Sequence, residues 1–272
     1  MTDLATTREV ELANALTLVR ERLDRAAEAA GRNSDEIELL PITKFFPASD
    51  VLILSRLGCS EFGESREQEA AAKAAECNSV DPASSIRWHM VGRIQRNKAR
   101  SIASWAYAAH SVDSAKLVSA LDRASARALD EGERPDPLRV YVQISLDGDV
   151  ERGGVDIGRP DLVDELCAQV QSAQGLQFVG LMGIPPLESN PDEAFARLQA
   201  EHQRVQETYQ QRLGLSAGMS SDLEAAVERG STCVRVGTAL LGQRPLTSPE
   251  VVTPVTSSSQ TTERQSPRRV DR

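Results

Sequence analysis

The chain has 272 residues, a mass of 29.5 kDa, a formal charge of -9 and a pI near 5.0. That acidity argues against a nucleic-acid partner, which demands a clustered basic face, and the densest basic stretch, Arg93 to Arg100, reads as the solvated side of one helix. Met1 to Val10 carry acidic residues and no apolar segment, and no run approaches the roughly 18 apolar residues of a membrane span, so the expected location is the cytoplasm and no membrane partner is expected.

With 40% hydrophobic and only 4% aromatic residues, the core must be built from Leu, Val, Ile and Ala, the usual material of parallel strands covered by helices. Residues 8 to 30 repeat apolar side chains at Val10, Leu12, Leu16, Val19 and Leu23, which predicts an amphipathic helix ended by Gly31. Short apolar runs then follow at 37 to 43, 60 to 63, 86 to 91, 106 to 112, 138 to 145, 176 to 182, 215 to 218 and 233 to 236. Helical patterns separate them at 48 to 57, 65 to 76, 94 to 103, 114 to 131, 159 to 173, 192 to 213 and 221 to 229. Sustained alternation of this kind predicts a parallel sheet, and eight strands at this length, where a (β/α)8 barrel takes roughly 250 residues, predict a single TIM-type barrel with an extra N-terminal helix. The barrel is expected over residues 1 to 246. The Ser-, Thr-, Pro-, Gln- and Arg-rich stretch 247 to 272 reads as a disordered tail, too poor in apolar surface to offset chain entropy. Cys59, Cys77, Cys167 and Cys233 are widely spaced and announce neither a disulfide framework nor a zinc site.

Functional residues of such barrels collect at the C-terminal ends of the strands, with phosphate sites after the last two. Lys44 closes the first strand. An amine in a partly desolvated cleft there is a Schiff-base candidate, although a lysine at a strand end is more often a solvated charge. Far along the chain, Ser220 stands at the mouth of a helix expected from Ser221, and Gly237 and Thr238 close the last strand. Backbone amides, a hydroxyl and a glycine that permits close approach are what a phosphate dianion needs. Taken singly, Ser220 is as well read as a helix cap and Gly237 as a strand end. Lysine and phosphate cradle together point to pyridoxal 5'-phosphate (PLP). Arg235 would then face the cofactor ring, with a structural ion pair as the alternative. Guanidinium does not give up its proton near neutrality, so such a ring is a weaker electron sink than one paired with a carboxylate. His89 in Trp88-His89-Met90-Val91 is either a ligand or relay or, more often for a lone histidine, a packed core residue. Glu64 and Asp222 read as caps or ion-pair partners.

Several segments carry a specific resemblance: Pro41-Ile42-Thr43-Lys44, Phe62-Gly63-Glu64-Ser65-Arg66-Glu67, Trp88-His89-Met90-Val91-Gly92-Arg93-Ile94-Gln95-Arg96-Asn97-Lys98, Val112-Asp113-Ser114, Gly180-Leu181-Met182 and the block from 214 to 242. In order and content they resemble the YggS/PROSC family of pyridoxal phosphate homeostasis proteins, from about residue 10 to Arg244. The resemblance implies a barrel like the N-terminal domain of alanine racemase, with PLP held as an internal aldimine on Lys44. It implies phosphate contacts from Ser220, Gly237 and Thr238, a site wall from Met219, and Arg235 at the pyridine nitrogen. It also implies a carrier that serves apo PLP-dependent enzymes and has no turnover of its own; a monomer is the expected state. The chain departs from the family pattern at Ser65, Arg93 and Ala217, and in the Gln143 and Arg152-Gly153-Gly154 region; Ala217 is expected to remove a side chain near the site. Two enzymatic readings remain open, an amino-acid racemase on the same half-site and a cofactor-free Schiff-base aldolase.

Overall fold

The computed structural model describes residues 2–83, 85–149 and 151–243, with side chains from residue 7 onward. The tail expected from 247 lies outside the described residues. Eight parallel strands form the barrel wall: β1 (Glu38–Pro41), β2 (Glu61–Glu64), β3 (Arg87–Met90), β4 (Ala106–Val112), β5 (Leu138–Ser145), β6 (Leu176–Gly183), β7 (Gly214–Ser216) and β8 (Cys233–Val236). They pair in the order β1-β8-β7-β6-β5-β4-β3-β2, and an Ile42–Gly63 bridge with a 3.0 Å bond from the Thr43 amide to the Gly63 carbonyl joins β2 back to β1. A two-residue strand, Val155–Asp156, adds to the end of β5.

The connecting helices are α2 (Ala48–Arg56), α3 (Glu67–Val80), α4 (Ala99–Trp105), α5 (Ala115–Asp130), α6 (Pro160–Ser172), α7 (Pro191–Gln206) and α8 (Leu223–Glu228), with a single turn, α9 (Thr238–Leu241), after β8. Every expected strand is present. Two helices differ from the reading of the sequence. The basic stretch from Arg93 is loop and a 3₁₀ turn, Arg96–Lys98, before α4 begins at Ala99. The helix expected to reach residue 213 stops at Gln206, whose side chain donates to the carbonyls of Tyr209 and Gln211 and accepts from the Leu213 amide, folding the next residues into a turn.

The N-terminal helix α1 (Thr2–Ala29) buries Leu12, Leu16, Val19 and Leu23 on one face, while Val10, half a turn out of phase with that face, is 54% exposed. It ends as expected at Gly31, whose φ of 66° lets the Arg32 amide reach back to the Ala27 carbonyl. Its position is what completes the barrel. α9 is too short to cover the seam between β8 and β1, and α1 lies there instead, against α2, α8 and α9. Arg8 ties it to Asp50 of α2 and to the Leu241 carbonyl of α9, and Arg32 ties its end to the Val227 carbonyl of α8. No helix among the described residues is long and apolar enough to cross a membrane.

Large apolar clusters fill the space between strands and helices, and two small ones fill the interior: Leu40, Ile42, Cys233 and Val91 on one side, Tyr141, Val179, Met182 and Ile184 on the other. Between these lies a buried polar column, described below.

Candidate functional site

Parallel pairing sets Pro41 of β1 opposite Val236 of β8, and the Ile42 amide donates to the Val236 carbonyl at 2.9 Å. The first and last strands therefore end side by side at the C-terminal mouth, with Lys44 on one and Gly237 and Thr238 on the other. The β7–α8 loop joins them. Its Gly218 carbonyl accepts from the Arg235 amide at 2.9 Å, and Ser220 Oγ accepts from the Ala239 amide at 3.3 Å. All six singled-out residues, Lys44, Met219, Ser220, Arg235, Gly237 and Thr238, thus belong to three adjoining segments.

The details correct three expectations. Lys44 is exposed rather than desolvated, because Phe45 takes a φ of 70° and turns the chain at the rim; the Lys44 amine lies 5.9 Å from the Phe45 ring. The buried amine beneath it is Lys73, whose Nζ lies 2.5 Å from Glu64 Oε1 and 2.8 Å from the Thr43 carbonyl. Second, Ser220 does not cap α8. That helix starts at Leu223 behind Asp222, whose carboxylate accepts from the Met219 amide at 2.5 Å, and the Ser220 hydroxyl faces α9 instead. Third, Ala217 is buried in the layer between strands and helices, so its methyl faces away from the mouth. Of the other departures, Arg93 is exposed and reaches the Glu151 carbonyl at 3.3 Å.

Two features leave room for an anion at the β8 end. A Cβ placed on Gly237 would meet nothing nearer than the Ile42 carbonyl at 3.6 Å, and its φ is -109°, so neither packing nor a left-handed backbone demands glycine there. The amides that open α9 have no intrahelical acceptor, as at any helix start. Amides, two hydroxyls and a glycine are the donor set that an anionic phosphate calls for.

Arg235 points inward. It is 5% exposed, and its guanidinium donates to Ser216 Oγ at 2.6 Å and to the Gly183 carbonyl at 3.0 Å, hydrogen bonds rather than the ion pair considered as its alternative. From Ser216 the polar column continues down the interior. Ser216 Oγ lies 2.9 Å from His110 Nδ1, His110 Nε2 lies 2.9 Å from His89 Nδ1, and His89 Nε2 lies 2.7 Å from Glu61 Oε2. Arg87 pairs with Glu61 at the far mouth, where Glu38 also sits. Burial and the nearby Glu61 charge push the Glu38 carboxyl up to about 8. Burial pushes Glu61 up too, but the His89 bond and Arg87 outweigh it and hold Glu61 below the usual carboxylate range. Ligand atoms of Glu38, Glu61 and His89 lie within 4.8 Å of one another, yet the guanidinium already on Glu61 makes the group a poor cation site and a natural shared-proton pair.

His89 is therefore both buried and hydrogen-bonded, as expected of a core histidine, and a link in a chain. Reading the sequence missed His110, Ser216, Glu61 and Lys73. The first three carry a signal: they are polar residues within otherwise short, largely buried strands.

The family model for the alanine racemase N-terminal domain matches residues 17–245. The pyridoxal phosphate homeostasis protein of Mycobacterium tuberculosis is 65% identical over 248 residues, covering 89% of this chain and 96% of that one. Among solved structures, PipY of Synechococcus elongatus with PLP bound is 31% identical at a TM-score of 0.70, covering 85% of this chain and all of that one. An alanine racemase from Clostridium difficile, 12% identical with a TM-score of 0.65 over 86% of this chain and 57% of its own, shares the fold.

Proposed function

The chain belongs to the YggS/PROSC family of pyridoxal phosphate homeostasis proteins, and from that membership we propose that it holds PLP at the C-terminal mouth of the barrel as a store for PLP-requiring enzymes. When bound, the cofactor supplies an aldehyde carbon open to attack by an amine. Lys44 would be the amine that holds it. Ser220 Oγ, the amides of Gly237 and Thr238 and the Thr238 hydroxyl would hold the phosphate, Met219 would wall the site, and Arg235 would face the ring nitrogen.

The observation that carries this reading is the β1–β8 junction, which sets an exposed lysine beside a glycine that the protein's own packing does not require. Exposure suits a carrier, because Lys44 stands where a second amine or water could reach it. Arg235 keeps its proton and offers the ring no acid, which favours retention over chemistry on the ring. The recipients are apo-enzymes that need PLP, and the carrier acts as a cytoplasmic monomer.

The protein mixed with PLP should develop a visible absorption band, and borohydride should then fix a phosphopyridoxyl label on Lys44, located by mass spectrometry. Lys44→Ala should lose both. A label on Lys73 or Lys98 in its place, or no band, would overturn the assignment. A single amino-acid enantiomer incubated with the loaded protein should stay unchanged; appearance of its mirror image would restore the racemase reading.

A further inference from the structure

The cofactor contacts proposed above use only the upper end of Arg235. They leave unexplained why an arginine is sunk in the barrel interior on a chain of four more polar side chains from four other strands. Such a column displaces apolar packing, and buried polar groups are tolerated only when every donor and acceptor is satisfied.

Donor and acceptor chemistry allows the column one continuous direction, from Arg235 to Glu61. A guanidinium only donates, so the Arg235 bond occupies one of the two lone pairs of Ser216 and leaves the serine hydrogen free to point at His110 Nδ1. A neutral imidazole that accepts at Nδ1 carries its hydrogen on Nε2, which His110 donates to His89 Nδ1. The same rule puts the His89 hydrogen on Nε2, where it meets the Glu61 carboxylate. In this arrangement a second proton on His89 would set two N–H groups facing each other across the 2.9 Å gap. The tautomers follow from the network as a whole. Burial, then the neighbouring positive groups, push His110 well below its ordinary value, and burial lowers His89 in the same way. At the far end Glu38 Oε1 is buried without a donor, as suits a carboxyl that keeps its proton and shares it with Glu61.

We propose that Ser216, His110, His89 and Glu61 are positioning residues for Arg235: a one-way hydrogen-bond chain that locks the guanidinium in the barrel axis and links it to a carboxylate at the opposite mouth. The state of a cofactor ring held against Arg235 is thereby set in part from the far end of the barrel. This rests on the reading that Arg235 faces the ring of bound PLP. The groups that face the Glu61 end are Glu38 from β1, Arg87 and His89 from β3, and Arg139 from β5. A change at any of them reaches Arg235 through two neutral rings rather than through solvent.

The chain has only three histidines, so the test is tractable. In the cofactor-free full-length protein labelled with ¹⁵N-histidine, two-bond ¹H–¹⁵N spectra should show His89 and His110 as neutral Nε2–H tautomers from about pH 5.5 to about pH 8.5, with His202 as internal comparison. A protonated ring, or an Nδ1–H tautomer at either position, would overturn the chain. In the PLP-loaded protein, Glu61→Gln keeps an acceptor for His89 but removes the charge, and Ser216→Ala cuts the column. Each should raise the PLP dissociation rate at least threefold and move the pH midpoint of the visible band by about one unit, while Ser216→Thr restores both. Unchanged rates and midpoints in Glu61→Gln and Ser216→Ala would overturn the positioning role even with the expected tautomers. A wild-type protein that takes up no PLP would remove the reading beneath the proposal, and the positioning role with it, a failure visible without any variant.

Discussion

Two carboxylates, one buried and one half-buried, show how the same residue type serves opposite ends. Glu64, with no exposed side-chain surface, is pushed up by burial and drawn back by Lys73 and the Thr43 hydroxyl, which donates to it at 2.7 Å. Removing one partner of such a pair leaves the other charge stranded, at a cost of about 3–5 kcal/mol. Lys73→Met should therefore lower the urea midpoint markedly at neutral pH, and the double change with Glu64→Gln should recover much of the loss; a single variant as stable as wild type would show that Glu64 is already protonated. Glu38 behaves differently. Folded, it holds its proton up to about 8, against an ordinary 4.5. Between those values the folded state binds more protons than the unfolded chain, so this contribution to stability is complete at low pH and falls as pH rises. The Tm of wild type relative to Glu38→Gln should accordingly decline from about pH 5 to about pH 8. A constant difference would mean that Glu38 ionises normally. Neither pairing could be read from spacing, since Glu64 meets Lys73 across the β2–α3 turn and Glu38 meets Glu61 across the barrel seam.

Among elements, α1 carries a function that its apolar stripe did not disclose. The stripe predicted a helix and its packed face, down to the glycine that ends it. It could not show that Arg22 of that helix donates to the Ser220 carbonyl at 2.7 Å and pairs with Glu224, holding the loop from which Ser220 and Met219 project. The pair is partly exposed and contributes about 0–1 kcal/mol. Arg22→Ala should thus move Tm by less than about 3 °C yet weaken PLP binding several-fold in an absorbance titration. Equal affinity would show that the loop keeps its shape unaided. The strands were legible because parallel strands buried on both faces read as short apolar runs. Helix ends were less so: α7 stops where Gln206 folds back on the next turn, and the Arg93 stretch is loop and a 3₁₀ turn, with Arg93 reaching the Glu151 carbonyl and Lys98 paired with Glu67. At the site, Lys44 and the β8 residues were legible as strand ends, whereas the turn at Phe45 that exposes Lys44 was not.

Across the described residues, the first helix fills the place beside β8 that the single turn of α9 leaves uncovered. The contact between Arg8 and the Leu241 carbonyl puts the two ends of the fold within 3.1 Å. A chain opened between α1 and β1, with α1 rejoined after Gln243 through a short flexible linker, should fold to a Tm within a few degrees of wild type and still accept PLP. Loss of folding would show that α1 must precede β1 in the chain as well as pack beside it.

That wiring also imposes a timetable. The lysine of the proposed site leaves the ribosome well before the neighbours proposed to hold the phosphate; at ~5–20 residues per second Gly237 follows Lys44 by roughly 10–40 s. Throughout that interval β1 lacks its β8 partner and α1 has no α8 or α9 to cover. On the proposed site, selectivity for the cofactor then waits for β8 to emerge and pair.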